Sequence, residues 1–153
     1  CYILGDFGVE VSGRYACIVP AREKIAFGDF TRQGLPFYGG NVTYHLQAEG
    51  NAFTLETTRY TGTLIRVSVD GKDCGRIIYP PYKLVLDDLG EGTHNIDITL
   101  FGNRYNSFGS VHLSNNMHSW HGPDAWRTSG CTWSYEYVLR DVGILTRPVL
   151  RKL

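Results

Sequence analysis

Apolar and polar residues alternate with a period of two along most of this chain, the pattern of strands with one face buried and the other wet. In 42–48, Val42, Tyr44, Leu46 and Ala48 share one face, and Thr43, His45 and Gln47 share the other. Ile65, Val67 and Val69 oppose Arg66 and Ser68 in 64–69. Ile96, Ile98 and Leu100 alternate with Asn95, Asp97 and Thr99 in 94–100. In 133–139, Trp133, Tyr135, Tyr137 and Leu139 alternate with Ser134, Glu136 and Val138, which places Trp133 in a core. The pattern predicts strands over these four segments, with 53–57 and 143–150 as further strands.

The breaks between the runs are turn chemistry: Asp70-Gly71, Gly90-Glu91-Gly92 and Gly102-Asn103. No window carries a helical period. Pro123-Asp124-Ala125-Trp126 opens at most a single turn, with proline at a helix-opening position. Short strands spaced by roughly ten residues describe an all-β sandwich or jelly roll. Two segments are irregular. Residues 28–40 hold four glycines and a proline and predict an ordered loop leading into the first long strand. Residues 102–130 form a long connection rich in Asn, His, Ser and Trp, and a connection of that length is usually functional or docked on a neighbour.

The 153 residues suit one domain with a real core. Fifteen Lys+Arg balance fifteen Asp+Glu, which offers no general attraction for a phosphate backbone or an anionic membrane. No apolar stretch has transmembrane length. Nucleic acid and membrane are therefore not expected as partners. The chain opens Cys1-Tyr2-Ile3-Leu4-Gly5, without a start methionine or a signal peptide, as expected of a piece of a longer protein. Cys1, Cys17, Cys74 and Cys131 are scattered without a CxxC pair, and read as buried free thiols in a reducing compartment such as a bacterial cytoplasm.

Candidate chemistry is sparse. Hydrolysing a glycoside takes two carboxylates facing each other across roughly 5–9.5 Å. Asp87 and Asp88 are adjacent, so on an extended chain they point to opposite faces, and they read as a strand end and turn. His112, His118 and His121 with Asp124 invite a metal, but the spacing fits no recognised zinc pattern. Neither metal nor other cofactor is expected.

The strongest signal lies in 103–133, where Tyr105, Phe108, Trp120, Trp126 and Trp133 stand among Asn103, Arg104, Asn106, Asn115, Asn116, His118, His121 and Asp124. A sugar ring offers an apolar face edged with hydroxyls, so its site needs a flat aromatic and short polar side chains. This connection supplies both. Its tryptophans equally suit packing on the sandwich or docking on another domain, and Trp120 and Trp126 are the centre of the candidate contact surface.

Several stretches are familiar. Tyr38-Gly39-Gly40-Asn41-Val42-Thr43-Tyr44 resembles the opening strand of the sugar-binding jelly roll of family 2 glycoside hydrolases and their relatives. Val67-Ser68-Val69-Asp70-Gly71-Lys72-Asp73-Cys74-Gly75 resembles that domain's V-x-V-N-G-x-x-x-G hairpin, with Asp70 in place of Asn. Tyr79-Pro80-Pro81-Tyr82, followed by Leu86-Asp87-Asp88-Leu89-Gly90-Glu91-Gly92-Thr93-His94, resembles its P-Y and D-I-T-x-L-x-x-G-x-N stretch, with His94 in place of Asn. Tyr137-Val138-Leu139-Arg140-Asp141-Val142-Gly143-Ile144-Leu145 is similar to the Y-x-L-x-x-x-G-L ending of such modules.

The resemblance implies a galactose-binding-domain-like β-sandwich spanning 1–153, with 1–37 as a lead-in segment. Its role would be that of a C-terminal accessory domain of a bacterial glycoside hydrolase without a catalytic centre of its own. Its expected partners are the catalytic domain of the same chain and an oligo- or polysaccharide. The alternatives are an autonomous carbohydrate-binding module and a small metalloenzyme built on the histidines.

Overall fold

The computed structural model describes residues 3–114 and 122–153. Within them the period-two segments form strands β1 (Gly8–Ser12), β2 (Tyr15–Val19), β3 (Val42–Glu49), β4 (Phe53–Glu56), β5 (Leu64–Val69), β6 (Lys72–Ile77), β7 (Lys83–Leu86), β8 (Thr93–Phe101) and β9 (Val149–Lys152). They pair antiparallel in three sheets, ordered β1-β2, β3-β8-β5-β6 and β7-β4-β9. The chain divides into two compact units, Gly40–Asn103 with Val142–Leu153, and Cys1–Gly39 with Arg104–Asp141.

The first of these units is a β-sandwich of the four-stranded and three-stranded sheets. Register explains which residues go inside. Val42 to Glu49 of β3 pair with Leu100 to Thr93 of β8, and Leu64 to Val69 of β5 pair with Phe101 to Ile96 on the other side of β8. Tyr44, Ile65, Val67, Val69, Ile96, Ile98 and Leu100 therefore share one face, and all are buried. Phe53, Leu55 and Leu86 of the smaller sheet, with Val142 and Ile144, complete this core. Burial of these aliphatic and aromatic side chains, at about 1.5–3 kcal/mol each, is the main force holding the sandwich together. The β5–β6 turn places Asp70 at φ 49° and Gly71 at φ 81°. Two successive left-handed residues suit the right-handed twist of the flanking strands.

The other unit carries less regular structure. It holds the β1-β2 hairpin and, further along the chain, a 3₁₀ turn at Phe30–Gln33, whose Asp29 cap accepts from the Thr31 N–H. Phe30 is fully buried, in edge contact with Tyr38 at 6.2 Å. Residues 1–37, expected as a lead-in, thus contribute a hairpin and a buried anchor to this unit.

Three expectations need correction. Residues 133–139 form no strand beyond an isolated bridge between Leu113 and Trp133. Ser134 Oγ accepts from the Glu136 N–H at 3.0 Å, a local bond that bends the chain out of a ladder. The Ser134, Tyr137 and Val138 amides then go to His112, Gly13 and Val111 respectively, instead of to one neighbouring strand. Trp133 is only half-buried, and Tyr135 is exposed. The strand expected over 143–150 shrinks to β9, because Pro148 has no N–H for the ladder and the strand starts after it. Among the described residues the thiols are not buried: Cys17 and Cys131 are free and exposed, and Cys74 is free and half-exposed, while Cys1 lies outside the described residues. Cys17 sits on β2, four of whose five residues are exposed.

Candidate functional site

The connection after β8 is ordered by its own polar residues. Arg104 opens a single helical turn, Tyr105–Phe108, and its carbonyl accepts from the Phe108 N–H at 3.0 Å. Asn106 is buried, and its amide is spent inside the protein. Its Nδ2 donates to the Arg140 carbonyl at 2.8 Å, and its Oδ1 accepts from the Arg140 N–H at 3.0 Å. The Arg140 guanidinium lies 3.7 Å from the Tyr105 ring centroid, a cation–π contact that covers one face of that ring. Tyr105 also shares a 3.3 Å hydrogen bond with Ser110 Oγ, and Ser107 Oγ donates to the Phe37 carbonyl at 2.7 Å.

With the turn pinned from below, Phe108 is left 56% exposed. Trp126 meets it at the end of the 3₁₀ turn Pro123–Trp126, the turn expected at that proline. Its indole N–H donates to the Phe108 carbonyl at 3.3 Å, while 52% of the residue stays in solvent. Ala125, buried beside it, anchors the turn. The result is an exposed pair of aromatics, one fixed by its own N–H, with Arg104 exposed at the start of the segment. Such a surface presents flat apolar area edged by polar groups.

The expected site residues sort accordingly. Trp126 is available for contact, and so is Arg104. Tyr105 and Asn106 hold the segment in place. Asn103 stands half-buried just after β8. Trp120, His118 and His121 lie outside the described residues, as does the side chain of Asp124. Phe108 is the stronger partner of Trp126 by exposure. Arg140, which organises Tyr105 and Asn106, carried no signal in sequence, because it follows the alternating run 133–139 and its partners lie more than thirty residues away.

The remaining candidates are structural. The His112 ring packs 4.7 Å from Tyr137 and 6.0 Å from Trp133, and its Nδ1 donates to the Ser134 carbonyl at 3.0 Å. Among the described residues, no three His, Cys, Asp or Glu side chains are placed to hold a metal. Asp87 and Asp88 follow the end of β7, with Asp88 at φ 54°, as the strand-end expectation requires. Other carboxylates face cations, Asp29 with Arg32, Asp73 with Arg76 and Glu56 with Lys83, and Asp97 hydrogen-bonds the His45 ring. On the outer face of β3 and β8, a shallow cleft is lined by His45, Leu46, Gln47, Asn95 and Asp97. Its polar groups are already paired, His45 to Asp97 at 2.7 Å and Gln47 to Asn95 at 3.0 Å. None of the described helices is long and apolar enough to cross a membrane.

No family model matches the chain, and no curated protein matches it. Solved structures do. A rhamnosidase from Novosphingobium sp. PP1Y matches with a TM-score of 0.56 and 17% identity, over 94% of this chain and 14% of that one. A GH2 β-galacturonidase from Eisenbergiella tayi, in structures bound to glycerol and to galacturonate, matches with TM-scores of 0.51 and 0.50. Its identity is 21%, over 96% of this chain and 22% of that one. The chain thus spans 14–22% of the glycosidases it resembles. At these identities the likeness is one of fold.

Proposed function

We propose that this chain is a non-catalytic accessory β-sandwich, of the galactose-binding-like jelly-roll kind, within a larger glycoside hydrolase. The observation that carries this reading is the match of nearly the whole chain to small parts of two different glycosidases. The placement of its carboxylates supports it, since three of them are paired with Arg or Lys on the same unit rather than opposed across a cleft. In this role the Trp126–Phe108 surface meets the catalytic domain of the same chain or a glycan held there. Fold alone does not assign a ligand, so the reading rests on the combination.

Two experiments test it. Sequencing the complete gene is expected to find a catalytic glycosidase domain in the same reading frame. An open reading frame without one would overturn the accessory role. The isolated chain, assayed on a panel of aryl glycosides, is expected to release no aglycone. Turnover abolished by a single Asp→Asn or Glu→Gln change would make it an enzyme in its own right. The second reading, an autonomous carbohydrate-binding module, is favoured by the exposed indole of Trp126, and affinity electrophoresis of the isolated chain in soluble polysaccharide gels separates it from the first. Retardation lost in Trp126→Ala supports a binding module, whereas unretarded migration supports a docking surface.

A further inference from the structure

His94 stands on β8 with the same alternation as Ile96 and Ile98, so its ring points into the sandwich at one end of the core, where it is 7% exposed. Both ring nitrogens face oxygen acceptors. Nδ1 lies 2.6 Å from Asp70 Oδ2, and Nε2 lies 3.2 Å from the Gly90 carbonyl. A neutral imidazole carries one N–H and one lone pair, so it would aim that lone pair at one of these two oxygens. Only the imidazolium donates to both. Asp70 is held for the purpose: its φ of 49° turns it back over the strand, and its Oδ1 accepts from the Asn95 N–H at 2.9 Å. A second bond, Asp70 N–H to the Asn95 carbonyl at 2.9 Å, locks the turn in place.

We propose that His94 is held as an imidazolium and forms, with Asp70 and the Gly90 carbonyl, a clasp that fastens the β5–β6 turn to the β7–β8 connection and opens as pH rises. Asp70 and His94, two of the positions at which the sequence departs from the family 2-like motif, are the two that meet. Asparagine at both would hydrogen-bond without titrating, whereas an Asp–His pair is pH-dependent. It requires no ligand and stands independently of the accessory role.

The electrostatics agree with the geometry. The Asp70 carboxylate, then the Gly90 carbonyl, raise the His94 pKa above its ordinary 6.5, and burial opposes them. Bonds from His94 and then from the Asn95 N–H lower Asp70 below its ordinary 3.8. Asp70 is the charged side chain that acts on the ring. On the adjoining segments Glu49 of β3, Lys72 of β6, and Asp88 and Glu91 before β8 are all exposed, and Gly50 faces the ring through its backbone. A raised histidine contributes stability that is complete below 6.5 and disappears as pH climbs through the folded value. A lowered aspartate contributes stability that is complete above 3.8 and disappears as pH falls through its folded value. The clasp is therefore closed between those two ordinary values and opens as pH rises past the raised His94 value.

The test is long-range ¹H–¹⁵N correlation of the histidine rings in the full chain from pH 4.5 to 9.5, with His94 assigned through the backbone. The expected result is protonation of both His94 nitrogens at pH 6.5 and a midpoint above the ordinary 6.5. A single neutral tautomer at pH 6.5, or a midpoint at or below 6.5, overturns the proposal. Thermal melting supplies the second measurement. The wild-type melting temperature is expected to fall from pH 6.5 to 9, and to fall less in the Asp70→Asn/His94→Asn double variant. Equal slopes overturn it. Should the double variant fail to fold, the ring spectra of the wild type decide alone.

Discussion

Asn106 and Trp126 stand only twenty or so residues apart, yet the same substitution should read differently at each. The buried Asn106 side chain ties its own turn to the Arg140 backbone, bonding both the carbonyl and the N–H. Asn106→Ala leaves those two groups without their partner, and each such buried group costs about 1–3 kcal/mol. A loss of about 2–4 kcal/mol in urea unfolding is expected for the isolated chain. Trp126 is half in solvent and keeps one hydrogen bond, so Trp126→Ala is expected to cost about 1–2 kcal/mol, against about 3–5 for a fully buried aromatic. A loss near 4 kcal/mol for Trp126→Ala would mean that the indole is a structural plug and not a contact surface. From sequence the two looked alike, as polar and aromatic members of one loop. What separates them is a partner thirty-four residues away, and no local pattern records it.

At the scale of elements, β3, β5 and β8 were legible because each has one wet and one dry face, and burial follows the alternation closely. The departure is Thr99, buried on the otherwise polar face, where its hydroxyl bonds Thr43 at 3.0 Å. β6 was illegible, because glycine, cysteine and charged residues erase its period and a register shift at Val67/Ser68 interrupts its pairing. The segment 133–139 failed for the opposite reason: its alternation is good, but its amides are divided between local turns and two other segments, 111–112 and Gly13. Alternation reports which side chains prefer burial and is silent on whether a neighbouring strand exists. Packing between elements makes its own demand at Gly62, where a Cβ would lie 2.7 Å from both Leu100 Cδ1 and the Phe101 carbonyl. Since the carbonyl is fixed in the β8 ladder, Gly62→Ala must shift the segment. It is expected to lower stability by about 1–3 kcal/mol, the usual cost of overpacking, measured by thermal melting. Gly71→Ala, with open space around its Cβ, tests a different cost, that of a left-handed φ alone, expected at about 1 kcal/mol.

For the molecule as a whole, the sequence carried the class of fold, whereas the division into two units was invisible because each is assembled from two separated stretches. The seam of the sandwich has a consequence for the history and engineering of the gene. The segment 61–63 receives both ends of the interruption: Thr63 N–H donates to the Phe101 carbonyl at 2.7 Å and Thr63 Oγ1 to the Gly102 carbonyl at 3.0 Å, while Thr61 exchanges two backbone bonds with Gly143. The chain leaves the sandwich and re-enters it two residues apart on one scaffold segment. That is the geometry of an insertion site, where a foreign stretch can be accepted because its ends already meet. Residues 104–141 are thus removable in principle: a chain of 40–153 in which a short Gly-Ser linker replaces them is expected to unfold cooperatively with the near-pure β circular dichroism of the sandwich. Loop-closure cost changes only slowly with length, so the linker itself adds little. A non-cooperative melt would mean that the interruption is integral to the fold; a cooperative one would make this seam a ready position for grafting recognition loops of other kinds.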